Sequence, residues 1–477
     1  PQFFADVGYR TGIFGKWHLG ASTPYLPHDR GFQESIYHLG FGLTGAEDIW
    51  NNDYFDPFYR HRGDVKQARG MYCNDFWFGR AMQCMGQCHD AGEPFFCYLP
   101  TNVPHFPMWV EDVYKERFAT QGEKPSGFFG MIEELDENMA RLDAFLESNG
   151  LRDDTILIFM TDNGHAGGAL DVYNAGMRGG KCSRYEGGHR VPCFVRWPGG
   201  NLRAPGDVAC PVQVQDMLPT LIELCNLATR EDAAFDGASV APLLRGDPSP
   251  LEDRTFVVQY FQNSIEEWDA CVVHRHWRLV YGKELFDLRT DPGQEHDVAA
   301  DHPDVVDRLR THYEQWWAGV EPGIHRFSPI HLGSPRENPV MLCSSEWENV
   351  RADGQGSVRE SKGGPVGGPS NVQIERDGTY RVELRRWPRE AALPLDAPAP
   401  PFEARVDTVE AGVAMPVAGA ALKTPDGDVL TADAADNAQE VSFTIPLKAG
   451  RTKLHGWFRD ASGEDVCGVY YGYVERL

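Results

Sequence analysis

Two short apolar runs, PFFCYLP at 94–100 and TILIFM at 155–160, flank a stretch of helical period. Each run sits between polar loops, and continuous apolar runs of that length predict strands covered on both faces. Between them, FFGMIEELDENMARLDAFLESNG sets Met131, Leu135, Met139, Leu142 and Leu146 at three- and four-residue steps. That spacing predicts an amphipathic helix stopped at Gly150. Strand, helix and strand in this order predict a crossover unit, and hence an α/β sheet. VPCFVRWPG at 191–199 predicts another strand and VQDMLPTLIELCNLA at 214–228 another helix.

After about residue 250 the pattern changes. TFVVQYF and HWRLVYG read as strands, ELFDLRTDP as a strand and turn, and HPDVVDRLRTHYEQWWAG as a closing helix, which together predict a small α+β subdomain. ADGQGSVRESKGGPVGGPS at 352–370 predicts a long loop, being rich in Gly and Ser. Beyond it Tyr380, Val382 and Leu384 alternate with polar residues, and GVYYGYVERL closes the chain in the same way. A C-terminal β-sandwich is expected. The domain expectation is an α/β core over 1–248, an α+β subdomain over 249–326 and a β-rich domain over 327–477.

A chain of 477 residues is longer than one compact domain usually is, and 42% apolar residues suffice for real cores. No run of about 18 apolar residues occurs, so no membrane span is expected. The net charge of −25 argues against nucleic acid and anionic membranes as partners. An anionic substrate then requires a local basic pocket, which salt screening over about 8–10 Å permits. None of the eleven cysteines forms a C-x-x-C pair, and Cys97, Cys193 and Cys225 lie in apolar runs, as buried free thiols do. The sequence leaves the oligomeric state open.

Four stretches carry the polar chemistry: GKWHLG with Lys16 and His18, NVPHFP with His105, MTDNGH with Asp162 and Asn163, and RGGKCSRYEGGHRVP with Lys181. His105 and the Asp162–Asn163 pair follow predicted strands, and open α/β sheets bind ligands at the carboxyl ends of their strands. Taken singly each has a plain reading. Lys16 and His18 suit a strand end, Asp-Asn-Gly is a good turn, and glycines around Lys181 shape a loop. Taken together they fit one chemistry. Two lysines supply fixed positive charge for a tetrahedral anion, and two histidines donate hydrogen bonds and move protons near neutral pH. Asp and Asn offer hard oxygens for calcium or magnesium rather than zinc. The set suits a sulfate or phosphate ester, and it lacks a nucleophile. The aromatics of WNNDYFDPFYRHRG at 50–63 read either as a stacking surface for a sugar or aryl group or as a local hydrophobic cluster.

GYRTGIFGKWHLG, PFFCYLPTNVPHFP, FMTDNGHAGG, RGGKCSRYEGGHRVPCFVRWPG and ELFDLRTDPGQEHDVAADHPDVVDRL resemble, in this order, the motifs of the sulfatase family within the alkaline-phosphatase superfamily. The resemblance spans roughly residues 1–318. It implies an alkaline-phosphatase-like, mostly parallel sheet flanked by helices, a bound calcium ion and hydrolysis of aryl or carbohydrate sulfate esters. It assigns Lys16 to the nucleophile and sulfate, and His18 to a hydrogen bond with the nucleophile. His105 and Lys181 are assigned to sulfate, His105 also to proton transfer, and Asp162 and Asn163 to calcium. It also implies a periplasmic or secreted protein.

One departure is large. The family's nucleophile is a formylglycine made from the first residue of Cys- or Ser-x-Pro-x-Arg, and no such motif occurs in these 477 residues. The family's order puts it, with an Asp pair of the calcium site, ahead of residue 8. The expectation is therefore a chain lacking that N-terminal segment and inactive by itself. The competing expectations are a non-catalytic binder of sulfated glycans, and a phosphatase or phosphonate hydrolase of the same superfamily.

Overall fold

The computed structural model describes residues 1–230, 233–248, 250–261 and 264–477. The chain divides into two compact units. One comprises Pro1–Ala5, Tyr9–Asp112 and Phe327–Leu477; the other comprises Asp6–Gly8 and Val113–Arg326.

The first unit begins with a five-stranded sheet. Its strands are β1 (Arg10–Lys16), β2 (Glu34–His38), β3 (Phe58–His61), β4 (Asp64–Gln67) and β5 (Phe95–Tyr98), in the order β4-β3-β2-β1-β5. β1 runs parallel to both neighbours, β2 and β5, while β3 and β4 are antiparallel additions. Thr11 to Gly15 are buried, so β1 is the covered centre of the sheet. The helix Cys73–Ala91 packs on β1 and β5 and ends at Gly92, whose φ of 68° suits glycine.

The rest of this unit is a β-sandwich, as the alternation predicts. One sheet contains Ile330–Leu332, Ser370–Ile374, Gly450–Arg459, Gly419–Lys423 and Val429–Asp433; the other contains Val340–Cys343, Tyr471–Arg476, Gly378–Arg385 and Val441–Leu447. Their inner faces share one core, with Leu332, Val372, Ile374 and Leu454 on one side and Val382, Leu384, Ile445 and Val474 on the other. The stretch expected to be a long loop contains a short helix, Gln355–Glu360. Burial of Val358 and Arg359 outweighs the weak helix preference of its Gly and Ser neighbours. Gln355 of this helix reaches the loop after β2. It accepts from the Asn51 N–H at 2.8 Å and donates to the carbonyls of Gly45 and Ile49 at 3.1 and 2.9 Å.

In the second unit the predicted amphipathic helix spans Glu123–Ser148 and buries Met131, Leu142 and Leu146. β6 (Leu157–Met160) pairs antiparallel with β7 (Cys193–Arg196). The crossover expected from sequence is thus not closed within one sheet: β5 pairs with β1, while β6 meets the chain returning as β7. Cys193 is exposed rather than buried, and Cys97 and Cys225 are half-buried. All eleven cysteines are free. β8 (Thr255–Phe261), β9 (Ile265–His274), β10 (Trp277–Val280) and β11 (Glu284–Asp287) form an antiparallel sheet. The helix Pro303–Val320 covers it through Leu309 and Tyr313, which meet Val272, Leu279 and Leu285. This is the α+β arrangement the sequence predicts.

Candidate active site

The six residues expected to carry chemistry fall into two groups, one in each unit. Lys16, His18 and His105 belong to the first unit.

Lys16 ends β1. The residue before it, Gly15, has a φ of 129°, and a β-carbon there would sit 2.1 Å from the Pro100 carbonyl oxygen. Only glycine allows that approach, which lets the Lys16 N–H donate to Pro100 at 2.7 Å and ties the ends of β1 and β5 together. Trp17 is buried and its indole N–H donates to the Tyr25 carbonyl at 2.9 Å. With Trp17 turned inward, Lys16 and His18 flank an anchored residue. His18 has a φ of 54°, a left-handed conformation unusual for a residue with a side chain, and its N–H donates to Leu39 at 2.8 Å.

His105 lies in the loop after β5. Its N–H donates to the Asn102 carbonyl at 2.9 Å, and the Asn102 side chain accepts from the Trp77 indole at 2.9 Å. The buried Tyr54 hydroxyl lies 3.1 Å from both the His105 and the Phe106 carbonyl oxygens. His105 Nδ1 is 3.0 Å from the Phe106 carbonyl. A carbonyl can only accept, so Nδ1 carries a proton, and Nε2 donates one only from the imidazolium.

Electrostatics join the three residues. The His18 pKa is pushed down to about 4 by lost hydration, then by Lys16, His38 and His105, with Asp48 opposing. At neutral pH His18 is a neutral hydrogen-bonding group beside a fixed cation.

Sequence reasoning missed the aromatic surroundings. Trp50, Tyr54 and Phe55 are 8%, 0% and 3% exposed, so these aromatics of the 50–63 stretch are buried rather than a stacking surface, Trp50 against Trp387 and Tyr54 and Phe55 beside Tyr72. The rings that lie beside the histidines are Phe41, 4.9 Å from His105 and 6.3 Å from His18, and Phe106. Phe41 belongs to a glycine-rich loop with no period to betray it. That loop is held by Asp48, whose carboxylate accepts from the Leu39 and Gly40 N–H groups at 2.8 and 2.7 Å.

Asp162, Asn163 and Lys181 belong to the second unit, on two loops that meet through their backbones. The Lys181 N–H donates to His165 at 2.7 Å and the Gly164 N–H to Gly188 at 3.0 Å. A β-carbon on Gly164 would lie 1.8 Å from the Gly187 carbonyl oxygen, so glycine is required for the contact. Asp162 is exposed, and the Asn163 amide donates to Gly164 at 2.9 Å. Their oxygens match calcium in type and not in number. Calcium takes 6–8 oxygens, and among the described residues no group of three or more His, Cys, Asp or Glu side chains is placed to hold a metal ion.

The sulfatase family model matches residues 1–227. Human arylsulfatase A is 30% identical over 399 residues, 72% of this chain and 75% of its own length. The chain belongs to the sulfatase family. The N-acetylgalactosamine-6-O-sulfatase of Bacteroides thetaiotaomicron is 32% identical over 386 residues, 64% of this chain and 74% of its own length. Against the uncharacterized sulfatase YdeN of Escherichia coli the identity is 28% over 296 residues, and the chain spans about half of that relative, 52%. Among solved structures, Ps i-CgsB in complex with k-i-k-neocarrahexaose superposes with a TM-score of 0.59 at 25% identity, over 66% of this chain and 72% of that one. This sulfatase shares its alkaline-phosphatase-like α/β fold with these neighbours.

Proposed function

We propose that this sulfatase acts on sulfate esters of carbohydrates or aryl alcohols, in the periplasm or outside the cell. The observation that carries the proposal is the grouping of Lys16, His18 and His105 where β1 and β5 end, with the Phe41 ring 4.9 Å from His105 and 6.3 Å from His18. Lys16 supplies fixed charge for the sulfate oxygens, whose negative charge grows as the ester bond breaks. Neutral His18 hydrogen-bonds the nucleophile. His105, as imidazolium, gives its Nε2 proton to the leaving oxygen. The family resemblance assigns Lys181 to sulfate, and Asp162 and Asn163 would give two of the oxygens of a calcium shell. The family's formylglycine is the nucleophile, and none of these 477 residues lies in the motif that yields one.

Calorimetric titration with phenyl sulfate, alongside a turnover assay on 4-nitrophenyl sulfate, tests this reading. Binding that weakens at least tenfold in Lys16→Ala and His105→Ala, without turnover by the 477-residue chain, is expected. Absence of binding by any sulfate ester overturns it, as does turnover at an enzyme-like rate without a formylglycine.

A further inference from the structure

Phe106 is a large apolar residue left 56% exposed, which by itself is ordinary on a protein surface. Its setting is not ordinary. Its carbonyl is engaged by the buried Tyr54 hydroxyl at 3.1 Å and by His105 Nδ1 at 3.0 Å, so the exposed ring stands on a fixed backbone. Phe41 comes from a different loop and lies 5.6 Å from it, centroid to centroid, at 37°. His105 completes the group, 4.9 Å from Phe41 and 4.7 Å from Phe106. The two loops pack closely at this point: a β-carbon on Gly42 would lie 3.2 Å from the Tyr54 hydroxyl and 3.8 Å from His105 Nδ1.

Resting on the sulfatase reading above, we infer that Phe41 and Phe106 form an aromatic platform that selects sulfate esters whose leaving group presents an apolar ring face, a pyranose or an arene. A proton donor to the leaving oxygen stands beside whatever that oxygen is attached to. Two tilted rings next to His105 offer that group an apolar, polarisable wall with little conformational freedom to lose. A ring lying on the wall has its ester oxygen at the histidine; an open-chain alkyl group gains no comparable contact.

The test compares methyl sulfate with phenyl sulfate and galactose 6-sulfate by calorimetric titration of the full chain. In the wild type the ring-bearing esters are expected to bind about threefold to tenfold more tightly than methyl sulfate. In Phe106→Ala that ratio falls toward one, and in Phe106→Tyr it is retained. Phe41→Leu is a second variant, expected to lower the ratio by removing the other ring. Thermal melts confirm that each variant folds. A wild-type ratio of one, or a ratio untouched by Phe106→Ala and Phe41→Leu, overturns the platform while leaving the sulfatase reading intact. Failure of all three esters to bind overturns the sulfatase reading, and the platform with it.

Discussion

The Tyr54 hydroxyl lies 3.1 Å from the carbonyl oxygen of His105, inside a residue that is 0% exposed. A buried phenol thereby sets where the candidate proton donor stands. Tyr54→Phe removes this hydrogen bond with almost no change in volume. It is expected to cost about 1 kcal/mol of stability. Sulfate-ester affinity is expected to drop by more than the change in folded fraction explains, because the His105 loop loses its anchor. Thermal melts and titration with phenyl sulfate on the same samples separate the two effects.

Two glycines make opposite predictions. Gly15→Ala places a β-carbon 2.1 Å from the Pro100 oxygen at a φ of 129°, and is expected to cost about 3 kcal/mol or more. Gly79, inside the helix Cys73–Ala91, has nothing within 4 Å of a β-carbon. Gly79→Ala is expected to stabilise by about 0.5–1 kcal/mol. Denaturant midpoints of the two variants check both signs.

In the second unit Asp216 is 0% exposed and accepts from Arg254 at 2.8 Å, from the Gln213 N–H at 2.7 Å and from the Ala238 N–H at 3.0 Å. Burial raises its pKa, but these donors together outweigh burial and hold it below the ordinary value. Its contribution is therefore present above pH 3.8 and lost as pH falls below that value. Asp216→Ala leaves the Arg254 guanidinium without its partner and is expected to cost about 3–5 kcal/mol, read from urea unfolding at neutral pH.

Glu47 gives the opposite pH dependence. Burial, then the charge of Asp48, pushes its pKa from 4.5 up to about 8. The folded chain then holds a proton that the unfolded chain releases near 4.5, so this contribution is full below pH 4.5 and is lost as pH rises to about 8. Glu47→Gln keeps the shape without the ionisation. It is expected to flatten the decline in urea midpoint between pH 5 and 8, and a decline as steep as that of the wild type would refute the assignment.

The amino-acid sequence by itself determined the helix over Glu123–Ser148 and the inward set of the C-terminal strands, because period is a local property. Family membership was legible for the same reason: short polar motifs at strand ends keep their order. Tertiary structure decided what local pattern does not encode. The partner of β6 depends on which strand edge meets it in space, and so does the exposure of Cys193. Whether Trp50, Tyr54 and Phe55 face solvent depends on what covers them, and Trp50 lies in the core of the distant C-terminal sandwich. Phe41 and Phe106 come to lie beside His105 because Asp48 and Tyr54 hold two loops 65 residues apart in sequence against each other, a contact made by packing and hydrogen bonds rather than by any repeat along the chain.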